Sequence, residues 1–140
     1  MLPFSVTLVA GESPYKQVVF AATRAVVSGV LAAGDAFPSV RELSQALKIN
    51  PNTAHKVVQE LIRDGVLEVR PGIGTVVAAG RRAPAAERRQ LLSEQVEALV
   101  VEAMRVGIAR DEVLDAVRSR WAALAGDAGT RRAAKQLAHK

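Results

Sequence analysis

The stretch Ser39-Val40-Arg41-Glu42-Leu43-Ser44-Gln45-Ala46-Leu47-Lys48-Ile49-Asn50-Pro51-Asn52-Thr53-Ala54 decides the fold. Ser39 and Glu42 form a Ser-x-x-Glu capping box, in which each side chain satisfies an N–H that the first helical turn leaves without a partner. A helix therefore starts there, with Val40, Leu43 and Leu47 on one face. It is short, because Asn50-Pro51 is already a second start: Asn caps, and Pro in the first turn has no N–H to lose. Ala54, Val57, Val58, Leu61 and Ile62 then recur at helical spacing until Asp64-Gly65 stops the run. Two capped helices joined by about three residues predict a helix-turn-helix.

Working outward, Phe37-Pro38 holds the preceding chain extended. Upstream, Ser13-Pro14 opens another helix carrying Tyr15, Val18, Val19, Ala22, Val26 and Val30, which ends near Ser28-Gly29, and Gly34-Asp35 turns the chain. Phe4 to Val9 reads as a short extended arm. Downstream, Val66–Val69 and Thr75–Val77 flank Arg70-Pro71-Gly72-Ile73-Gly74 as a hairpin. Three helices and a hairpin predict a winged helix-turn-helix over residues 1–78, followed by a breaker-rich linker over 79–86.

Residues 87–125 read as two helices. Leu92, Val96, Leu99, Ala103 and Val106 form the stripe of the first, widened by Val100 and Met104, and Gly107 ends it. Val113, Val117, Trp121 and Leu124 share a face of the second, which Gly126 to Gly129 is expected to close. Two such helices cannot bury stripes this broad on each other alone; they need the winged helix or a second copy. Leu92, Val96, Leu99, Ala103, Val117, Trp121 and Leu124 are accordingly the candidate self-association residues. Residues 126–140, with Arg131, Arg132, Lys135 and Lys140, read as a flexible basic tail. The expected fold is mainly α with a small β-hairpin: an N-terminal winged helix-turn-helix and a short two-helix C-terminal dimerisation unit.

Composition agrees. At 140 residues with 49% hydrophobic and 24% charged side chains, the chain has the make-up of an ordinary folded domain and is too short for a large enzyme. Aromatics are only 4%, so the core must be aliphatic. No cysteine is present, which excludes disulfides, thiolate nucleophiles and Cys-ligated metal, and fits a cytoplasmic setting. Residues 1–10 lack a basic leader, and no apolar run reaches the roughly 18 residues of a membrane span, so neither export nor membrane insertion is expected. The net charge of +5 favours acidic partners, nucleic acid first. Residues 1–80 carry 7 basic and 6 acidic side chains and residues 81–140 carry 12 and 8, so bulk charge does not locate a binding surface.

The motifs do. The second helix of a helix-turn-helix enters the major groove of double-stranded DNA by its N-terminal residues. Here these are Asn50, Asn52, Thr53, His55 and Lys56, opposite the apolar stripe. Asn suits adenine, Thr a thymine methyl or a hydrogen bond, and His55 and Lys56 suit guanine or phosphate. Asn50 is equally explained as a cap alone, and Arg63 as a solvated face. Arg41, at the start of the preceding helix, is placed for phosphate or for an ion pair with a neighbouring acid. Gly72 and Gly74 are turn residues first; a backbone N–H at Gly72 can also reach DNA. Two histidines, His55 and His139, assemble no metal site.

Ser39-Val40-Arg41-Glu42-Leu43-Ser44, Asn50-Pro51-Asn52-Thr53, Glu60-Leu61 with Asp64-Gly65, and Gly72-x-Gly74-Thr75 together resemble the GntR family of bacterial winged-helix transcription regulators over residues 13–78. The short appendage and the Asn-Pro-Asn-Thr opening are similar to its YtrA-type subfamily. The resemblance implies homodimers that bind palindromic operators and usually repress, with the appendage serving dimerisation. It also implies DNA contact at the positions of Arg41, Asn50, Asn52, Thr53, His55 and Gly72. The chain departs from the family pattern at Pro71 and Ile73, where the wing tip is often basic, at His55, and at Ala109, where a capping Ser is common. The 60 residues from 81 onward leave no room for the effector domain or the pyridoxal-phosphate domain of larger relatives. No cofactor is expected, nor a ligand pocket inside one subunit, while a pocket between subunits stays open. The competing reading is a winged helix that recruits a protein partner through its C-terminal helices, which the near-neutral first 80 residues permit. An enzyme is disfavoured: no paired carboxylates, activated nucleophile or phosphate-cradling loop occurs at a workable spacing.

Overall fold

The computed structural model describes residues 2–80 and 83–138, with side chains described for 2–80 and 83–126. Helix α1 (Pro14–Val27) is capped by Ser13, whose Oγ accepts the Lys16 N–H at 3.3 Å. Helix α2 (Val40–Leu47) starts on the expected capping box: Ser39 Oγ accepts from the Glu42 N–H at 3.1 Å, and Glu42 Oε1 from the Ser39 N–H at 3.3 Å. Helix α3 (Pro51–Arg63) is capped by Asn50. Strands β1 (Leu67–Arg70) and β2 (Gly74–Val77) pair antiparallel with Leu67 opposite Val77.

Their core is aliphatic. Val18 and Ala22 of α1, Leu43 of α2, Ala54, Val57 and Leu61 of α3, and Leu67 and Val77 of the hairpin are buried together. Each of the larger side chains contributes about 1.5–3 kcal/mol by leaving water. Two parts of this unit go beyond the sequence reading. Residues 34–37 run beside β2 and join it through one isolated bridge, Ala36 opposite Val76, with Phe37 N–H donating to Thr75 O at 2.9 Å and Val77 N–H to Asp35 O at 2.9 Å. The N-terminal arm is also anchored. Phe4 is buried and stacks on Phe37 at 5.6 Å, and the Gln17 amide clamps the Val9 backbone, accepting its N–H at 2.7 Å and donating to its carbonyl at 3.2 Å.

By its internal contacts the chain divides into two units, the first built on residues 1–80 and the second formed by Arg81–Leu124. Arg81 and Arg82 of the expected linker lie outside the described residues. Helix α4 (Ala85–Gln90) passes through a single π-helical turn (Leu91–Gln95) into α5 (Val96–Arg105). In the π turn the Val96 N–H donates to Leu91 O, five residues back, so Leu91 stands above Val96 on the helix surface. Gly107 ends α5 as expected, with the Ile108 N–H donating to Ala103 O at 2.9 Å.

Helix α6 (Arg110–Ala138) corrects the expected end of the chain. The helix was expected to close at Gly126–Gly129 and to give way to a flexible tail over 126–140. The backbone instead stays helical to Ala138. Glycine inside a helix costs only about 1 kcal/mol relative to alanine. Ala122, Ala123, Ala125, Ala128, Ala133 and Ala134, the best helix formers, surround the two glycines and offset that cost. The side chains of Arg131, Arg132 and Lys135, and all of Lys140, lie outside the described residues.

Candidate nucleic-acid interface

Helix α3 is two-faced. Ala54, Val57 and Leu61 have no exposed surface, and Val58 is buried beside them. Asn52, His55, Lys56 and Gln59 are all exposed, at the i, i+3, i+4, i+7 spacing of a single helix edge. Thr53 is half-buried between the two faces. Gln59 is absent from the sequence-derived candidates, yet it continues the same edge one turn on; the spacing from Asn52 is the signal that identifies it. The edge presents amide, imidazole and ammonium groups, all able to donate to base edges or phosphates.

Asn50 caps the helix, its Oδ1 accepting the Asn52 N–H at 2.8 Å. Bidentate recognition of adenine uses both the oxygen and the nitrogen of an Asn amide. With its oxygen shared in the cap, Asn50 offers chiefly its Nδ2 donor, whereas the Asn52 side chain is exposed and makes no hydrogen bond within the described residues.

The turn before α3 is held by Ser44. Its carbonyl accepts from Lys48 and Ile49, and its Oγ donates to Ile49 O at 2.7 Å. Lys48 closes α2 in the left-handed conformation, φ 54° and ψ 45°, and is exposed. Neither residue is among the sequence-derived candidates; Ser44 positions the turn, and Lys48 adds a cation beside it. Arg41, near the start of α2, is exposed and forms no ion pair among the described residues. Arg63 is instead paired with Glu60. Tyr15 of α1 lies near Glu60; desolvation first, then the charge and hydrogen-bonding influence of Glu60, raise its phenol above the usual value of 10.0.

At the wing, Gly72 and Gly74 have φ of 77° and 113°, backbone that other residues rarely adopt, which confirms their turn role. Pro71, Gly72 and Ile73 are exposed and uncharged, and Arg70 is engaged with Glu68 at 3.0 Å. The wing tip is therefore apolar, with Val69 and Ile73 open to solvent.

In the C-terminal unit, Leu92, Val96, Leu99, Val117 and Trp121 are exposed, Trp121 at 74%, and Leu124 is half-buried. Ala103 differs: it is buried within the chain's own fold, at the turn where Ile108 bonds its carbonyl. Leu91, Val100, Val101 and Met104 enlarge the exposed apolar surface beyond the sequence-derived set. Among the described residues no cluster of three or more side chains suited to a metal occurs, and no helix is long and apolar enough to cross a membrane.

Residues 14–77 match the model of the bacterial regulatory proteins of the gntR family. The chain is 32% identical to the HTH-type transcriptional repressor YtrA of Bacillus subtilis (strain 168) over 95 residues, covering 67% of this chain and 73% of that protein. Among solved structures, a transcriptional antiterminator from Listeria monocytogenes EGD-e superposes with a TM-score of 0.75 at 24% identity, covering 87% of this chain and 92% of that one. A GntR family transcriptional regulator from Listeria monocytogenes does so at 0.60 and 25% identity, covering 80% and 98%. The family model spans α1 to β2, the same elements that set the exposed edge of α3 on a buried core. The chain belongs to the GntR family of DNA-binding transcription regulators, in its YtrA-type branch.

Proposed function

We propose that this regulator is a cytoplasmic repressor that binds a palindromic operator as a homodimer. The carrying observation is the edge of Asn52, His55, Lys56 and Gln59, exposed along a helix whose opposite face is fully buried. In this reading α3 lies in the major groove, with Asn52, Thr53, His55 and Lys56 toward base edges and Asn50 donating at the helix start. Arg41 grips phosphate from α2, and the Gly72 N–H approaches the backbone from the wing. The exposed stripe of Leu92, Val96 and Leu99, with Val117, Trp121 and Leu124, is what a second copy covers. Two copies present two α3 helices, and half-sites follow at about one helical turn, 10–10.5 base pairs, or a multiple of it. The similarity to a protein named as a repressor supports the sign of regulation.

The test is a mobility shift and footprint of the full chain on genomic fragments, beside light scattering at micromolar concentration. Two symmetric protected half-sites and a dimer mass are expected, with transcription from the bound promoter falling as chain is added. Weak uniform retention that vanishes near physiological salt would remove the operator. A monomer mass would remove the dimer, and a rise in transcription would replace repression by activation.

A further inference from the structure

We propose that a trough on the N-terminal unit binds a small amphipathic anion, a carboxylate on an apolar body, and so forms an effector site inside one subunit. The trough is open to solvent and has a volume of about 1100 Å³. Its walls are the arm over residues 2–7, the face of α1 bearing Phe20, Ala21 and Arg24, and the end of α2 at Ala46 and Leu47. That volume is of the order of small-molecule sites, roughly 300–1,000 Å³.

The wall formed by the arm is fixed in place: Phe4 is stacked on Phe37, and Gln17 is bound to the backbone of Val9, Glu12 and Ser13. Phe20, 69% exposed, gives an apolar ligand a ring to cover. Arg24 is the one charged side chain among the described lining residues, and it forms no ion pair among the described residues. Arg24 is exposed, and its guanidinium can pair with a carboxylate through two parallel hydrogen bonds while the apolar walls cover the body of the ligand. This sets the chemistry of the occupant: one anionic head at Arg24 and an apolar body along Phe20, Ala21 and Leu47. The trough is lined by residues of the winged-helix unit.

Leu47 is also the last residue of α2, directly before the turn that Ser44 holds and that leads into α3. A ligand pressing on Leu47 acts on the turn that aims α3. This regulatory step rests on the proposed operator reading; the binding itself does not.

The experiment is calorimetry of the full chain, without DNA, against dodecanoate and dodecan-1-ol, with amide chemical-shift mapping of the dodecanoate complex. Expected are one dodecanoate per chain, about tenfold weaker binding of the alcohol, and about tenfold weaker dodecanoate binding to Arg24→Gln, with Arg24→Lys recovering most of it. Shifts should centre on residues 17–28 and 44–48, and Ala46→Trp, which fills the trough from an exposed position, should abolish binding. Equal binding by wild type and Arg24→Gln, shifts confined to the C-terminal unit, or no heat with dodecanoate would each overturn the site. Unliganded Arg24→Gln should still shift operator DNA. Wild type that binds dodecanoate but retains no operator fragment specifically would overturn the operator reading and leave the ligand site standing.

Discussion

Arg41 and Asn52 stand on successive helices and meet different parts of a duplex in the proposed complex, so their substitutions separate. Arg41→Ala should weaken binding to every sequence and flatten the slope of log affinity against log salt by about one unit, measured by titration at several salt concentrations. Asn52→Ala should instead relax base preference, at about 1–3 kcal/mol, read by competition between operator variants. Tyr15 gives a test independent of DNA. Its pKa is raised in the folded chain, so the stability this brings is complete below the ordinary value of 10.0 and is lost as pH rises through the folded value. Tyr15→Phe should therefore flatten the alkaline fall in thermal midpoint above about pH 10. Much of the site was legible residue by residue because caps are local: Ser39, Glu42, Asn50 and Pro51 announce α2 and α3, and the exposed edge follows from their phase. Gln17 and Ser44 were not legible. Gln17 reaches a backbone eight residues away and Ser44 one beyond its own helix, and neither bond leaves a periodic trace.

Among the elements, the helices with a strong apolar phase and a capping residue were predictable, and the hairpin followed from β-branched runs around glycines. The bridge from residues 34–37 to β2 was hidden because its partner lies some forty residues on, and its own sequence, Gly34-Asp35-Ala36-Phe37, carries no strand pattern. The end of α6 departs from its sequence signal for the opposite reason: a local stop is overruled by its surroundings. Glycine at 126 is a helix interior position, and a Cβ there would meet nothing within 4 Å. Gly126→Ala should therefore raise far-ultraviolet helicity and stabilise α6 by about 0.5–1 kcal/mol. Were Gly126 a true stop, the same change would lower stability or leave helicity unmoved. The π turn at Leu91–Gln95 belongs to this scale too. No cap or proline marks it, and its effect is to set Leu91 over Val96 and so carry the exposed stripe toward α4.

Across the whole molecule, net charge pointed toward nucleic acid without locating the surface. The edge of α3 sits in the half of the chain that is nearly neutral, and the cationic excess lies beyond residue 80. What distinguishes the second unit is apolar exposure: Leu92, Leu99, Met104 and Trp121 are open, and Ala103 alone is buried among its described residues. Leu99→Glu should yield a monomer by light scattering and lose the paired half-site footprint, while the melting of the winged helix stays unchanged. A pair of helices with so little interior has scarcely any free energy of its own to hold its shape. For residues 85–124, adopting structure and meeting a second copy then become a single event. Diluting the protein should melt these helices at the same concentration at which the copies part, leaving the winged helix folded. Circular dichroism at serial dilutions would show that coupled loss, and a flat signal would mean that the appendage stands unaided.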